Sequence, residues 1–236
     1  MTSVRRGRLL LTLALLVPWG GGLSPGASIV VGTGDPDEAT PDSAAVYTWS
    51  GTDWVKVSPE PGKGLGGHIA VYCLCEFMGQ IYAGTDGGQV YVYASGTTWT
   101  RTGLDGSEIP SHATVLSLTT YMGALYAGTR PAGLYRYDTT ASRWSKVDID
   151  LHEMQGVVAM TTWTDPEAQD LRLYLGDVYH DMVIAYNGWT SDKELSILAP
   201  TGSCIWDFQA FQDHLYACAY EGRVYVRQPE CLPGSG

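Results

Sequence analysis

The chain has 236 residues, and its 25 acidic residues against 14 basic ones give a formal net charge of −11. One all-β domain can account for this length, and 11% aromatic residues is too high a content for a disordered chain. Because nucleic-acid binding needs a basic surface, the acidic balance argues against a nucleic-acid partner.

The N-terminus has the layout of a secretory signal peptide. Arg5, Arg6 and Arg8 precede the apolar run of residues 9–17, and this order predicts a signal peptide over residues 1–27. The alternative is an uncleaved N-terminal anchor. The run is short for a membrane span, so we expect no stable span after cleavage and a secreted or periplasmic product.

Four tryptophans mark an internal repeat. They are spaced 45 residues apart, and each follows an aromatic strand-like run. In the second, third and fourth repeats this run is preceded by an apolar strand, a Leu/Ile-Tyr pair and a glycine step. A period in the forties with several strands in each unit is typical of a β-propeller. We therefore predict an all-β fold of about five four-stranded antiparallel meanders. The tryptophans are Trp54, Trp99, Trp144 and Trp189.

The predicted propeller covers residues 28–230 and is followed by a flexible tail at 231–236. The first repeat is expected to lack its opening strand and the fifth its closing strand. An unpaired edge at residues 224–226 would then favour self-association. We expect the tryptophans to be buried between successive meanders and to form no ligand cage.

Two short segments resemble known propeller families. Residues 135–144 read Tyr-Arg-Tyr-Asp-Thr-Thr-Ala-Ser-Arg-Trp, and they resemble the turn between the third and fourth strands of kelch repeats. Residues 51–54 and 96–99 resemble the end of the Asp-box repeat of sialidases. The resemblance implies a propeller architecture and selects no activity.

The first strand of each propeller meander lines the central channel. Alignment of the repeats places Cys73, Ser117 and Asp207 at equivalent positions on the polar side of that strand. These three are the candidate binding residues of the channel, and Asp207 is the only acid among them. The alternative interpretation of Asp207 is a carboxylate bonded to neighbouring backbone.

The acidic loop of residues 34–42 is the one segment whose composition fits a metal. Asp35, Asp37, Glu38 and Asp42 supply the oxygen ligands that calcium prefers. A solvated acidic loop is the first interpretation and a calcium site the alternative. No other cofactor is expected.

The chain predicted to be exported contains five cysteines. A disulfide among Cys204, Cys218 and Cys231 is predicted to tie down the last repeat. Cys73 and Cys75 lie two residues apart on one strand, so their side chains should share a face without bonding to each other.

The sequence contains no nucleophile elbow, phosphate loop or zinc motif. We therefore favour a secreted binding or scaffold module for a protein or other extracellular ligand over an enzyme. One alternative is a carbohydrate-binding lectin whose pockets repeat with the meanders. The other is an extracellular glycan hydrolase or lyase with one site at the channel mouth, drawing on Asp207, Asp177 or Glu76.

Overall fold

The protein is described by a computed structural model. It covers residues 16–18, 27–34, 43–103, 108–166, 169–197 and 204–227. Over these residues the secondary structure consists of strands and two short 3-10 helices, Gly64–Gly67 and Tyr220–Gly222. The predicted all-β composition is confirmed.

The strands form five antiparallel sheets, each built from consecutive strands of the chain. The first contains β1 (Leu16–Pro18), β2 (Ala27–Thr33), β3 (Ala45–Trp49) and β4 (Trp54–Lys56), and the second contains β5 (Val71–Phe77), β6 (Gln80–Thr85), β7 (Val90–Ser95) and β8 (Thr98–Arg101). The third contains β9 (Thr114–Tyr121), β10 (Ala124–Arg130), β11 (Gly133–Asp138) and β12 (Arg143–Lys146). The fourth contains β13 (Val157–Thr164), β14 (Leu171–Asp177), β15 (Asp181–Tyr186) and β16 (Ser191–Ile197), and the fifth contains β17 (Ile205–Phe211), β18 (His214–Ala219) and β19 (Val224–Arg227).

Five sheets agree with the predicted count of about five meanders. Among the described residues the last sheet has three strands, as predicted, and β19 lies at its edge. The first sheet differs from the prediction, because β1 pairs with β2 through Leu16↔Ile29 and supplies an opening strand. This strand lies in the apolar run that also matches a signal peptide, since valine in such a run favours strands as well.

The chain divides into two compact units, residues 1–118 with 138–144, and residues 119–137 with 145–236. Aliphatic side chains from consecutive sheets fill the core of the first unit, where Val46, Leu65 and Val71 are fully buried. The second unit has two apolar clusters, one containing Leu173 and the other Ile205. The strands therefore bury their sides against adjacent sheets, as a repeat architecture requires.

In three of the repeats the glycine step is explained by the approach of the following sheet. A Cβ on Gly32 would lie 2.6 Å from Cγ1 of Val71, and one on Gly84 would lie 2.7 Å from Cγ1 of Val115. In the fourth repeat, a Cβ on Gly176 would lie 2.7 Å from a methyl of Ile205. In all three repeats a β-branched residue of the next sheet's first strand occupies the space of the missing side chain.

In the second sheet, the carboxylate of Asp86 follows β6 and fixes the loop that leads into β5. Asp86 accepts hydrogen bonds from the backbone N–H groups of Ile69 (2.9 Å) and Ala70 (3.5 Å), and Nδ1 of His68 lies 3.1 Å from its other oxygen. Burial by itself opposes ionisation, but these partners outweigh burial and hold the pKa of Asp86 below its usual value of 3.8.

The fourth repeat uses the same device. Asp177 is fully buried and accepts from the N–H groups of Gln155 (2.7 Å) and Gly156 (3.0 Å), and its second oxygen lies 2.6 Å from Nδ1 of His180. The carboxylate named as a candidate for glycan hydrolysis therefore satisfies a buried backbone.

Gly84→Ala should lower the free energy of unfolding by about 1–3 kcal/mol, because the added methyl group would lie 2.5 Å from Sγ of Cys73 and 2.7 Å from Cγ1 of Val115 and would overpack both contacts. Denaturant unfolding followed by circular dichroism measures this change. Gly67→Ala is the matched control, since its Cβ would lie 3.6 Å from the nearest backbone atom, an ordinary contact. Equal stability of the two variants would contradict the proposed close approach.

Asp86→Asn should cost about 1–3 kcal/mol of stability at neutral pH, because the amide cannot accept all of the bonds that the carboxylate accepts. The folded pKa of Asp86 is depressed, so the advantage of wild type is complete above the unfolded pKa. It is lost as the pH falls from there through the folded value. Urea unfolding between pH 7 and pH 3 measures it. The exposed carboxyl of Asp213 provides the control, and Asp213→Asn should change stability little at any pH.

Candidate functional site

Two of the repeat tryptophans, Trp99 and Trp144, make equivalent hydrogen bonds through their indole N–H groups. The indole Nε1 of Trp99 donates to the carbonyl of Val57 (2.7 Å), and that of Trp144 donates to the hydroxyl of Thr102 (3.0 Å). Each acceptor belongs to the residue 42 positions earlier in the chain. Both indoles are buried, so the prediction of a core role is confirmed for Trp99 and Trp144.

The acceptor positions also follow the repeat. The N–H of Val57 donates to Val46, that of Thr102 donates to Val90, and that of Val147 donates to Leu134, with distances of 2.8–2.9 Å. Val147 is therefore the third member of this series. The tryptophan that lies 42 residues after it is Trp189.

Trp189 does not occupy the corresponding position. Its side chain is 87% exposed, and it lies in the four-residue turn between β15 and β16. The side chain of Asn187 accepts from the backbone N–H groups of Trp189 (3.0 Å) and Thr190 (2.8 Å) and fixes this turn. The prediction that Trp189 is a core residue is wrong.

Strand register explains the difference. Trp99 lies opposite Tyr93 in the second sheet, where the two rings make an edge contact with centroids 5.3 Å apart. The equivalent tyrosine of the fourth sheet is Tyr186, and the residue opposite it is Ser191. The shorter hairpin has moved the tryptophan to its tip and placed a serine where the indole would stand.

Trp54 is a second exception to the predicted burial. It is 49% exposed and lies opposite Trp49, with ring centroids 5.4 Å apart. Trp54 begins its strand, and its indole packs on the neighbouring ring of the same hairpin. The indole of Trp54 is therefore only partly buried, and its ring contact with Trp49 lies within its own sheet.

A cavity of about 490 Å³ lies within the second unit next to Trp189. We call it the Trp189 pocket. Its volume is in the range of small-molecule sites. It is lined by Met122, Tyr126, Arg136, Ser145, Lys146, Val147, Tyr186, Gly188 and Trp189.

Tyrosines form the rigid side of the Trp189 pocket. Tyr126 and Tyr186 are buried, and both pack with Tyr121, at centroid distances of 5.8 and 6.2 Å. The hydroxyl of Tyr121 donates to the carbonyl of Leu171 (3.0 Å), and that of Tyr186 donates to the carbonyl of Gly188 (2.7 Å). These bonds hold the rings in place before a ligand arrives.

Burial is the main cause that raises the pKa of each of these phenols, and the pKa of Tyr121 reaches about 12. The positive charge of Arg136 acts in the opposite direction on Tyr126 and Tyr186. The two tyrosines that line the pocket are therefore neutral at physiological pH. Arg136 is close enough to affect both electrostatically.

The charge of the pocket lining is opposite to that of the whole chain. Arg136 and Lys146 are its charged members, and none of the described residues that line it is acidic. Both side chains are exposed. In a chain of net charge −11, such a local excess of positive charge favours an anionic ligand.

The residues predicted to face the channel lie elsewhere. Cys73 is buried, its thiol donates to the carbonyl of Val115 (3.7 Å), and burial raises its pKa. Ser117 is buried, whereas Asp207 is exposed and accepts from the N–H of Phe208 (2.8 Å). None of the three lines the Trp189 pocket, and their role at a channel remains a prediction.

The predicted calcium ligands Asp35, Asp37, Glu38 and Asp42 fall outside the described residues. Within the described ranges, no three His, Cys, Asp or Glu side chains are grouped closely enough to hold a metal ion.

The predicted disulfide is not formed between Cys204 and Cys218. Both are free, as are Cys73 and Cys75, and Cys231 is not among the described residues. Cys204 is buried while Cys218 is exposed, so the two thiols occupy different environments. Burial raises the pKa of Cys204 to about 12, which keeps this thiol protonated and unreactive.

Other carboxylates of the second unit are bonded internally. Asp181 is buried and pairs with Arg223 at 2.6 Å, and it also accepts from the hydroxyl of Tyr225. These bonds connect the fourth and fifth sheets. Over the part of the chain that is described, no helix is long and apolar enough to cross a membrane.

No protein-family model and no curated protein matches the chain, but solved structures resemble it. One is the extracellular domain of the putative one-component system BT4673 from B. thetaiotaomicron, with TM-score 0.58, 13% identity, and coverage of 97% of this chain and 33% of that one. The WD40 β-propeller domain of Doa1 has TM-score 0.59 and 10% identity over 85% of this chain and 61% of that one. YjhT has a TM-score of 0.59 and 14% identity, with coverage of 88% of this chain and 71% of that one.

The chain thus spans about one third of the BT4673 domain. Identities of 10–14% show the fold alone. The predicted β-propeller fold is confirmed by this likeness, with the five sheets as its blades.

Trp144→Ala should cost about 3–5 kcal/mol of stability, because it removes a buried indole together with the hydrogen bond that the indole donates to the hydroxyl of Thr102. Trp189→Ala should change stability by less than about 0.5 kcal/mol, because that indole packs little surface. Denaturant unfolding of the two variants measures both values. A large loss in the Trp189 variant would show that this indole belongs to the core.

Proposed function

We propose that the chain is an exported, kelch-like propeller that serves as a binding module and holds a small ligand in the Trp189 pocket. The observation that carries this proposal is the pocket itself, since the fourth repeat leaves open a position that the second and third repeats fill with an indole. Rigid aromatic walls with a few polar groups are the usual composition of a binding site.

The lectin alternative required equivalent pockets in successive repeats. Among the described residues, the equivalent positions next to Val57 and Thr102 are filled by Trp99 and Trp144. The Trp189 pocket in the second unit is therefore the better basis for function. The enzyme alternative has no support from this pocket, because a paired acid and base would need carboxylates in its lining.

Export is proposed from the three arginines and the apolar run of the N-terminal segment, residues 1–27, and is supported by the likeness to a domain described as extracellular. Because β1 lies in this segment, the four-stranded first sheet belongs to the chain that retains it, and cleavage would leave that sheet with three strands. The surface of the fifth sheet is proposed as a second contact region. Val224 and Val226 on its edge strand are 60% and 46% exposed, and an open edge favours pairing with another chain.

Ser191→Trp is the variant that tests the binding role of the pocket, because it places an indole opposite Tyr186, the position that Trp99 takes opposite Tyr93. Wild type should retain members of an equimolar mixture of neutral sugars, sugar acids, amino acids and nucleotides. Retention is measured by mass spectrometry of the bound fraction, and Ser191→Trp should lose it.

Thr190→Trp is a suitable control, since Thr190 is exposed in the adjacent turn and does not line the pocket. It should retain the same compounds as wild type. If Ser191→Trp folds with a native circular dichroism spectrum and still retains them, the pocket is not the binding site.

A further inference from the structure

The chemistry of the Trp189 pocket narrows the class of ligand, an inference that rests on the proposed binding function. Its lining contains two cationic side chains, two phenols and one indole. These groups differ in what they recognise, so each can be matched to part of a ligand.

The guanidinium of Arg136 is the group that can bind an anion with directional hydrogen bonds. It makes no ion pair within the described part of the chain, and it lies near Tyr126 and Tyr186. The planar guanidinium pairs with a carboxylate through two parallel hydrogen bonds. A carboxylate bound at Arg136 would lie beside the two buried rings, where water is partly excluded.

A phosphate is the weaker match for this lining. Phosphate sites usually surround the anion with several backbone N–H groups, at a helix N-terminus or in a concave loop. The described residues contain no α-helix. The lining instead offers two side-chain cations on adjacent strands of one sheet, β11 and β12.

The indole of Trp189 supplies a flat apolar surface. It is 87% exposed, and the bonds from the Asn187 side chain fix the backbone that carries it. An exposed aromatic face can stack on the C–H face of a sugar ring, while the ring's hydroxyl groups stay at the polar edges. Ser145 and the hydroxyl of Tyr126 are the polar groups within the lining that could meet them.

Size distinguishes a sugar from an acidic peptide. A cavity of about 490 Å³ fits one or two sugar rings, whereas an extended peptide usually adds its backbone to a strand edge. The turn of residues 187–190 has its own polar groups engaged, with Asn187 N–H donating to the Thr190 carbonyl at 3.2 Å. It therefore offers a peptide little backbone to pair with.

We infer that the Trp189 pocket binds a carboxylated sugar, such as a hexuronate unit of an acidic polysaccharide, with the carboxylate on Arg136 and the sugar ring on Trp189. Lys146 adds a second positive charge at the same wall. Carboxylate and ring are thus recognised by separate groups, and each contribution can be removed alone.

Calorimetric titration of wild type with glucuronate, galacturonate, glucose and galactose tests this inference. The acids should bind at least about tenfold more tightly than the neutral sugars, because a charged hydrogen-bonded pair contributes about that factor. Raising the salt concentration should weaken binding of the acids and leave the neutral sugars unchanged.

Arg136→Ala should remove the preference for the acids, and Trp189→Ala should weaken binding of acids and neutral sugars alike. Arg143→Ala is the matched control, because Arg143 is an exposed arginine of β12 outside the pocket lining, and it should bind as wild type does. Equal affinity for acids and neutral sugars, or an unchanged preference in Arg136→Ala, would overturn the inference.

A glutamate tripeptide serves as the competing ligand. If it binds more tightly than the uronates and binding is lost in Ser191→Trp, the pocket is a binding site but its ligand is an acidic peptide. If uronates bind wild type and Ser191→Trp equally, both the ligand assignment and the proposed function of the pocket fail. The experiment therefore distinguishes failure of the ligand assignment alone from failure of the proposed binding function.

Discussion

The structure depends on how closely each sheet approaches the next one along the chain. Gly32, Gly84 and Gly176 leave room for a β-branched residue of the following first strand, and any larger side chain would force the sheets apart. Dispersion contacts decline steeply with separation, so this approach determines how well the aliphatic and aromatic side chains between the sheets can pack. The packing of the buried core therefore depends on the close contacts at these glycines.

The indoles of Trp99 and Trp144 also belong to the contact between successive sheets. Trp99 and Trp144 each reach back to the end of the preceding sheet and bond there, which satisfies a buried N–H and seals the groove. In the fourth repeat Ser191 takes the position opposite Tyr186. A change in the length of one hairpin thus converts a structural position into a cavity, without altering the strands behind it. This is an economical origin for a site on a repeat scaffold.

Much of the fold could be predicted from the sequence because its repeat is strict. The 45-residue spacing of the tryptophans and the alternating strands gave the five meanders, and the burial of Trp99 and Trp144 followed. The opening strand β1 was missed because its apolar residues also match a signal peptide. The disulfide was wrong for Cys204 and Cys218 because pairing depends on three-dimensional proximity, which spacing does not report.

The candidate site was missed for a related reason. Equal spacing between tryptophans concealed unequal spacing within the repeats, since Trp99 lies six positions after Tyr93 and Trp189 only three positions after Tyr186. That short interval was the signal, because three residues suffice for a turn tip but not for a return to the opposite strand. No motif in the sequence pointed to Arg136, because its proposed role in binding depends on Tyr126 and Tyr186, which lie on other strands.

Direct measurement of the solvent exposure of two indoles tests the account most simply. Fluorotryptophan can be incorporated, and the fluorine resonances of Trp144 and Trp189 can be assigned by replacing each with phenylalanine. The account predicts a solvent isotope shift close to that of the free amino acid for Trp189 and almost none for Trp144, in line with exposures of 87% and 1%. A shielded Trp189 would show that the fourth repeat fills its groove as the others do, and would contradict the account.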